Sequence, residues 1–278
     1  MKSGSEHLFP LYQVDAFADK AFGGNPAAVV FLMGPRPDAW LQSFAAEMNL
    51  SETAYFMRRG NEFQLRWFTP VCEVDLCGHA TLAAAHVIWE TDMASPEDEI
   101  RFHTRSGLLR ARRDGDWIAL DFPADPPSAY KLPKEIAKAI GAKVVWAGMG
   151  REDLILELEN EAAVRELKPD FGGLKEASRR GVIVTAAADE GAGYHFVSRF
   201  FGPAVGIDED PVTGSAHCTL TPYWAEKMGQ QSFMAYQASQ RGGHLKVRLR
   251  AAAGSRSKAK PSPSCKAWFR AQHWGDGQ

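Results

Sequence analysis

The feature that most constrains this chain is a pattern that occurs twice. "RWFTPVCEVDLCGHATLAAAHVIWE" begins at Arg66, and "RFFGPAVGIDEDPVTGSAHCTLTPYWAE" begins at Arg199. Each runs Arg-aromatic-Phe-x-Pro, then a loop, a glycine, and a long apolar stretch that finishes at Trp and Glu; the second loop is three residues longer. Repetition at about half the chain length predicts two related halves, because solenoid repeats recur at much shorter periods. Each half then supplies a strand, a loop and a buried central helix. The N-termini of the two helices become candidates to meet between the halves, where their free N–H groups favour anions. Clefts between domains are common ligand sites, and this one would suit a small carboxylated substrate.

The rest of the chain is consistent with strands and helices in alternation. "LYQVDAFADKAFGGNPAAVVFL" reads as two strands around a turn at Gly23, Gly24, Asn25 and Pro26. "PDAWLQSFAAEMNL" puts Trp40, Leu41, Phe44, Ala45 and Met48 on one helical face, with Asn49 as the stop. "SETAYFM" and "EFQLRWFTP" read as strands, and Ala80 to Trp89 as a helix buried on nearly all sides. Strands turning at Ser106-Gly107 and Asp114-Gly115 follow. "PADPPSAYKLP" carries four prolines without periodicity and is the expected linker, dividing the chain into residues 1–125 and 126–278. Beyond it, "KEIAKAIGA" reads as a helix, "DLILELEN", "GVIVTAAA" and "YHFVSRFFGP" as strands, and Ser215 to Met228 as the second central helix.

Composition closes off several functions. A 45% hydrophobic and 24% charged chain of 278 residues is that of a folded globular protein. A formal charge of −2 gives no global attraction to nucleic acid or to an acidic membrane, and no apolar run reaches the roughly 18–20 residues of a membrane span. The first residues lack the apolar core of a secretory signal, and four cysteines in a chain of this size do not suggest a disulfide framework. The expectation is a reduced, cytoplasmic protein.

Three short pieces carry chemistry: "NLSET" with Glu52, "CGHA" with His79, and "DEDPVTGSA" with Asp210 and Ser215. A carboxylate in an apolar cleft has its pKa raised and can trade protons with carbon near neutrality. A histidine at a helix start can donate a hydrogen bond or relay a proton. Gly78 and Gly214 let the backbone approach a ligand closely. Each also has a plain structural explanation. Glu52 can be an exposed strand residue, and His79, Asp210 and Ser215 can be helix caps. Asp208 and Glu209 read as solvated or structural. Pattern alone leaves the function open.

Together, "VDAFADKAFGGNPAAVV", "EMNLSETAYF", "RWFTPVCEVDLCGHAT", "FFGPAVGIDEDPVTGSA" and "QRGG" resemble the PhzF-like phenazine-biosynthesis isomerase family of the diaminopimelate epimerase fold, from about Tyr12 to Leu249. The resemblance implies an α+β fold of two pseudo-symmetric domains, each a barrel-like mixed β-sheet wrapped around a central α-helix, with the active site between them. It implies a cofactor-independent isomerase, as in the family member that isomerises a dihydro-hydroxyanthranilate, with no metal and commonly a homodimer. Carried over, Glu52 is the proton shuttle, and His79, Asp210 and Ser215 hold polar groups of a small carboxylated substrate and assist proton movement. Asn25, Gly78, Thr213 and Gly214, within the matching segments, are the expected substrate contacts.

The nearest rival is an amino-acid or imino-acid epimerase or racemase of the same fold, which uses two cysteines on opposite faces of the α-carbon. Here Cys77 precedes Gly78, but Thr213 precedes Gly214, so one thiol of the pair is missing. Cys72, Cys77, His79 and His86 lie near one another, yet no HExxH or CxxC spacing supports zinc. A P-loop and a GxGxxG motif are absent. A non-catalytic binding protein is the further alternative. From Arg241 onward nine Lys or Arg stand against Asp276 alone, which reads as a solvated terminus and not as a nucleic-acid contact. From about residue 250 the chain departs from the family ending, and "SRSKAKPSPS" is a poor strand. An ending replaced in this way, as by a frameshift, is expected to leave the sheet short of an edge and to put the dimer in doubt.

Overall fold

The computed structural model describes residues 9–250, 264–269 and 271–273; for the last two segments, Cys265 apart, only the backbone is described. The first half contains β1 (Leu11–Ala16), β2 (Asn25–Phe31), α1 (Asp38–Met48), β3 (Glu52–Arg59), β4 (Glu62–Phe68), β5 (Glu73–Val74), α2 (Gly78–Glu90), β6 (Ile100–Thr104), β7 (Gly107–Asp114) and β8 (Trp117–Pro123). The second begins with β9 (Ser128–Ala129), α3 (Lys134–Ile140), β10 (Val144–Met149), β11 (Leu154–Leu158), α4 (Glu161–Arg165), α5 (Phe171–Ala177) and β12 (Val182–Ala187). It continues with β13 (Phe196–Gly202), a 3-10 turn (Pro203–Val205), β14 (Ile207–Asp210), α6 (Gly214–Met228), β15 (Ser232–Gln237), β16 (Gly243–Arg250), β17 (Ser264–Phe269) and β18 (Ala271–His273).

The halves repeat pairing by pairing. In the first, β1–β2 is antiparallel, β2–β3 parallel, β3–β4 and β4–β5 antiparallel, β4–β6 parallel, and β6–β7–β8 antiparallel. In the second, β10–β11, β11–β12, β12–β13, β13–β14, β13–β15 and β15–β16–β17 repeat those relations in the same order. A parallel pair needs a crossover, and helices supply it. Thus α1 links β2 to β3 and α4–α5 link β11 to β12, while α2 links β4 to β6 and α6 links β13 to β15. The protein is therefore two pseudo-symmetric mixed-sheet domains packed on helices.

The central helices form as their sequences dictate. Every residue of α2 from His79 to Trp89 except His86 is buried, as its predominantly apolar composition favours. α1 ends at Asn49 in the left-handed conformation (φ 51°), which positions Glu52 to open β3. In α6, Pro222 has no N–H to give the carbonyl of Cys218. That carbonyl instead accepts from Asp125 N at 3.0 Å, which ties the helix to the crossover between the halves.

Two parts of the sequence reading change. "PADPPSAYKLP" is not wholly irregular, since Ser128–Ala129 pairs with β10 as β9. The sheet also does not lose its edge at the unusual ending. Most of "SRSKAKPSPS" lies outside the described residues, but β17 follows it and pairs with β16 on one side and with β8 of the first half on the other. β18 then pairs with β1, as β9 pairs with β10. The short strand that follows β8 thus joins the second half, and the short strand that follows β17 joins the first. A weak local propensity is overridden because β17 is held along both of its sides.

A chain truncated after Arg250 is accordingly expected to lose several kcal/mol. At roughly 2–4 °C per kcal/mol for a protein of this size, its Tm should fall by on the order of 10 °C, with aggregation through the exposed edges of β8 and β16. Differential scanning calorimetry checks this, and an unchanged Tm would contradict the pairing of β17.

Candidate active site

The N-termini of α2 and α6 abut. A β-carbon built on Gly78 would lie 3.7 Å from Gly214 Cα, and one built on Gly214 would lie 3.7 Å from Gly78 Cα and from Phe17 Cζ. Phe17 is buried and has φ 65°, a left-handed conformation costing about 1–2 kcal/mol for such a residue, so the surrounding packing imposes it.

On the first-half side stand Glu52, Cys77 and His79. The Glu52 side chain keeps 16% exposure, and its Oε2 lies 3.3 Å from His79 Nε2. That imidazole nitrogen is buried and lacks the alignment of a hydrogen bond to any partner. Cys77, in the N-cap position of α2, has Sγ 3.5 Å from His79 Nδ1 and hydrogen-bonds Glu52. Burial, reinforced by the charge of nearby Asp210, raises Glu52 to about 8. Burial lowers His79 to about 3, so its ring is neutral. Burial and the Glu52 charge push the Cys77 thiol well up, so it stays protonated. A carboxyl group that titrates near 8 can both take and return a proton around neutrality.

On the second-half side, Asp210 closes β14 and is clamped from three directions. Asn25 Nδ2 donates to Asp210 Oδ1 at 2.8 Å and to Val212 O at 2.9 Å, bridging the halves. Thr213 Oγ1 donates to Asp210 Oδ2 at 2.5 Å, and Gln237 Nε2 donates to Asp210 O at 2.9 Å. Gln237 Oε1 in turn accepts from Thr213 N at 2.8 Å. Burial raises Asp210 to about 6 against the lowering effect of the Thr213 and Asn25 hydrogen bonds, so it is mainly ionised at neutrality. Asn25 Oδ1 is buried with no partner.

The fold thus brings Glu52, His79, Asp210, Asn25, Thr213, Gly78 and Gly214 together. Ser215 occupies the first turn of α6, is exposed, and takes no part in the hydrogen bonds that clamp Asp210. The neighbouring acids are accounted for as structure: Asp208 is exposed, and Glu209 forms a two-pronged pair with Arg199 at 2.7 and 2.9 Å. Arg66 and Glu73 repeat that pair in the first half, with both bonds at 2.7 Å.

Sequence reasoning missed a second bridge. Arg241 Nη2 donates to the fully buried Asp15 Oδ1 at 2.7 Å and to Gly23 O at 2.8 Å, and its Nε donates to Gly24 O at 2.8 Å. Gly24 N donates to Gly242 O at 2.8 Å. Both glycines have positive φ, and a β-carbon on Gly24 would lie 2.0 Å from Ala16 O, so the turn at Gly24 admits no side chain. The signal was present in "VDAF" and "QRGG", whose charged residues have no other evident purpose.

The sequence profile of a family described as phenazine biosynthesis-like protein (PhzC-PhzF) matches residues 14–262. An uncharacterized isomerase of Halalkalibacterium halodurans is 51% identical over 86% of this chain and 91% of its own length. One from Pseudomonas aeruginosa is 49% identical over 86% and 90%. The crystal structure of a phenazine biosynthesis protein of the PhzF family from Enterococcus faecalis matches with a TM-score of 0.86 at 40% identity, over 96% of both chains.

A carboxyl group whose pKa folding raises favours the native state at low pH and loses that advantage as pH climbs from about 4.5 to about 8. Ionising Glu52 therefore costs stability on the order of a few kcal/mol by pH 8. The Glu52→Gln variant should melt above the wild type by a margin that widens from about pH 5 to about pH 9. A variant less stable than the wild type across that range would contradict the burial argument.

Proposed function

This chain belongs to the phenazine biosynthesis-like (PhzC-PhzF) family, and from that premise we propose that it is a cofactor-independent isomerase that moves a proton between carbons of a small carboxylated substrate. The observation that carries the reading is Glu52, a buried carboxyl group tuned to about 8 beside the joined N-termini of α2 and α6. In its ionised form Glu52 removes a proton from a carbon acidified by adjacent unsaturation. The electron pair shifts across the conjugated system, and protonated Glu52 returns the proton to another carbon. Proton and electrons balance without an external oxidant or reductant, and Glu52 ends as it began.

The other groups bind and stabilise. N–H groups of the two helix N-termini face the substrate carboxylate and the negative charge that develops on deprotonation. Neutral His79 offers a ring nitrogen as hydrogen-bonding partner or relay, and ionised Asp210 orients cationic or N–H groups. Asn25 Oδ1, buried and unpaired, is a ready acceptor, and Ser215 offers an exposed hydroxyl on the first turn of α6. A two-thiol racemase is not supported by this site, because the place that corresponds to Cys77 holds Thr213, whose hydroxyl is engaged by Asp210. The proposal extends to a cytoplasmic homodimer. The four cysteines are free, and among the described residues no helix is long and apolar enough to cross a membrane. Sedimentation velocity tests the dimer.

NMR in D2O tests the chemistry, with a dihydro-hydroxyanthranilate and a panel of amino and imino acids as substrates. Wild-type protein should exchange a carbon-bound proton, and Glu52→Gln should lower the rate at least about a thousandfold, the scale of losing a general base. Exchange that survives Glu52→Gln and disappears in Cys77→Ser would overturn the assignment.

The same proposal fixes a pH profile. Because the cycle starts from the carboxylate, kcat/KM should rise as pH increases toward about 8 and level off above it. Protonation of Asp210 near 6 should steepen the acid limb. A rate independent of pH between about 6 and 9 would count against Glu52 as the base.

A further inference from the structure

We infer that Glu52, Cys77 and His79 also form a binding site for a thiophilic divalent cation such as zinc, which shuts the active site by capturing its base. The metal site is argued from donor geometry, and its inhibitory effect rests on the isomerase reading of the same side chains. Among the described residues, these are the one group of three such side chains whose potential ligand atoms all lie within 4.8 Å of one another.

The donor set is one that zinc prefers over magnesium or calcium: a thiol, an imidazole and one carboxylate. Zn–S and Zn–N bonds of about 2.3 and 2.0 Å at a tetrahedral angle give ligand-to-ligand edges of roughly 3.5 Å for sulfur–nitrogen and 3.3 Å for nitrogen–oxygen. Cys77 Sγ to His79 Nδ1 is 3.5 Å, and His79 Nε2 to Glu52 Oε2 is 3.3 Å. These contacts use different ring nitrogens and a metal takes one, so the Glu52 side chain or the ring must turn on binding.

An independent observation points to a ligand. The His79 side chain is 6% exposed, and its Nε2 is buried, directed toward Glu52, and without a hydrogen-bond partner. Buried ring nitrogens are normally satisfied, so an open one is a free donor. Cys77 in the N-cap position and His79 in the first turn of α2 share one helical backbone segment, so rearrangement on binding is confined to side-chain rotation. The pseudo-symmetric half has no counterpart. Arg66 and Arg199 align the two sheets, and this alignment matches Glu52, Cys77 and His79 to Gly181, Thr213 and Ser215, which offer no thiol, imidazole or carboxylate.

Binding replaces the thiol proton of Cys77 and any proton on Glu52 with bonds to the metal, releasing those protons to solvent. Three protein ligands leave a fourth position for water or a substrate carboxylate. With its oxygen bound, Glu52 can no longer take a proton from carbon, so the metal acts as a reversible inhibitor.

Cobalt(II) reports the site directly, because a thiolate ligand gives a near-ultraviolet charge-transfer band and tetrahedral geometry gives intense visible bands. Purified protein titrated with cobalt chloride should develop both at one equivalent, and zinc should abolish them. Cys77→Ser should lose the charge-transfer band, His79→Gln should weaken cobalt binding at least about tenfold, and Cys72→Ser, at an exposed cysteine, should leave both intact. Absence of the band in folded wild-type protein overturns the proposal, as does a band that persists in Cys77→Ser or vanishes in Cys72→Ser. Circular dichroism confirms that each variant is folded. Because no substrate is present, a failure here leaves the isomerase reading untouched, and failure of that reading leaves the cobalt result standing.

Discussion

Two glycines, Gly78 and Gly214, allow the N-termini of α2 and α6 to touch, and the rest of the molecule answers to that contact. Each helix end carries about half a positive charge, so joining two of them is repulsive unless something negative is near. Asp210, mainly ionised at neutrality, meets part of that demand from within the protein. Glu52, held mainly protonated by burial and by Asp210, does not. The junction therefore has room, electrostatically, for one more anion, the role given to the carboxylate of the proposed substrate. A β-carbon on either glycine would stand in van der Waals contact with the opposite backbone, which shows how closely the two helix ends approach.

Holding two like-charged helix ends together takes more than van der Waals contact, and the sheet provides it. β8 and β17 join the domains edge to edge, and β9 and β18 cross in opposite senses. Polar clamps then fix the junction locally. Asn25 reaches from β2 to Asp210, Arg241 reaches back to Asp15, and Asp125 takes the carbonyl that Pro222 leaves open in α6. Such buried polar groups are costly unless satisfied, so each clamp strongly favours one relative placement of the halves.

The repeated Arg-Phe-Pro pattern made the pseudo-symmetry legible, because a buried crossover helix needs an uninterrupted apolar run and its loop needs the same turn residues each time. Both central helices, α1 with its Asn49 stop, and most strands of the first half could be read in this way. The second half was less clear. β10 mixes Trp146 with exposed Val145, and α4 and α5 are too short to show a period. β17 was illegible because its stability lies in two neighbours and not in its own residues. At the site, the motifs raised Glu52, His79, Asp210 and Ser215 as candidates, and only the family resemblance gave them roles. The use of Asn25 and of the Asp15–Arg241 pair was hidden, since the partners are 185 and 226 positions apart and nothing local reports a contact at that separation.

Symmetry breaks at the N-caps, and that break separates two kinds of chemistry. In the first half the cap is Cys77, and its neighbours are groups that burial holds neutral: a protonated thiol, an uncharged imidazole and a carboxylic acid. In the second half the cap is Thr213, whose hydroxyl and N–H are both committed, along with Asn25 and Gln237, to keeping Asp210 ionised and in place. A pair of identical caps would set equivalent groups on either side of a substrate carbon and suit proton delivery to opposite faces. Here one side can gain or lose a proton near neutrality while the other supplies fixed charge. That division suits a single shuttling base which removes and returns a proton on the same side. The same break puts the one cluster of three potential ligand side chains among the described residues on one half, where the unpartnered Nε2 of His79 is turned toward Glu52.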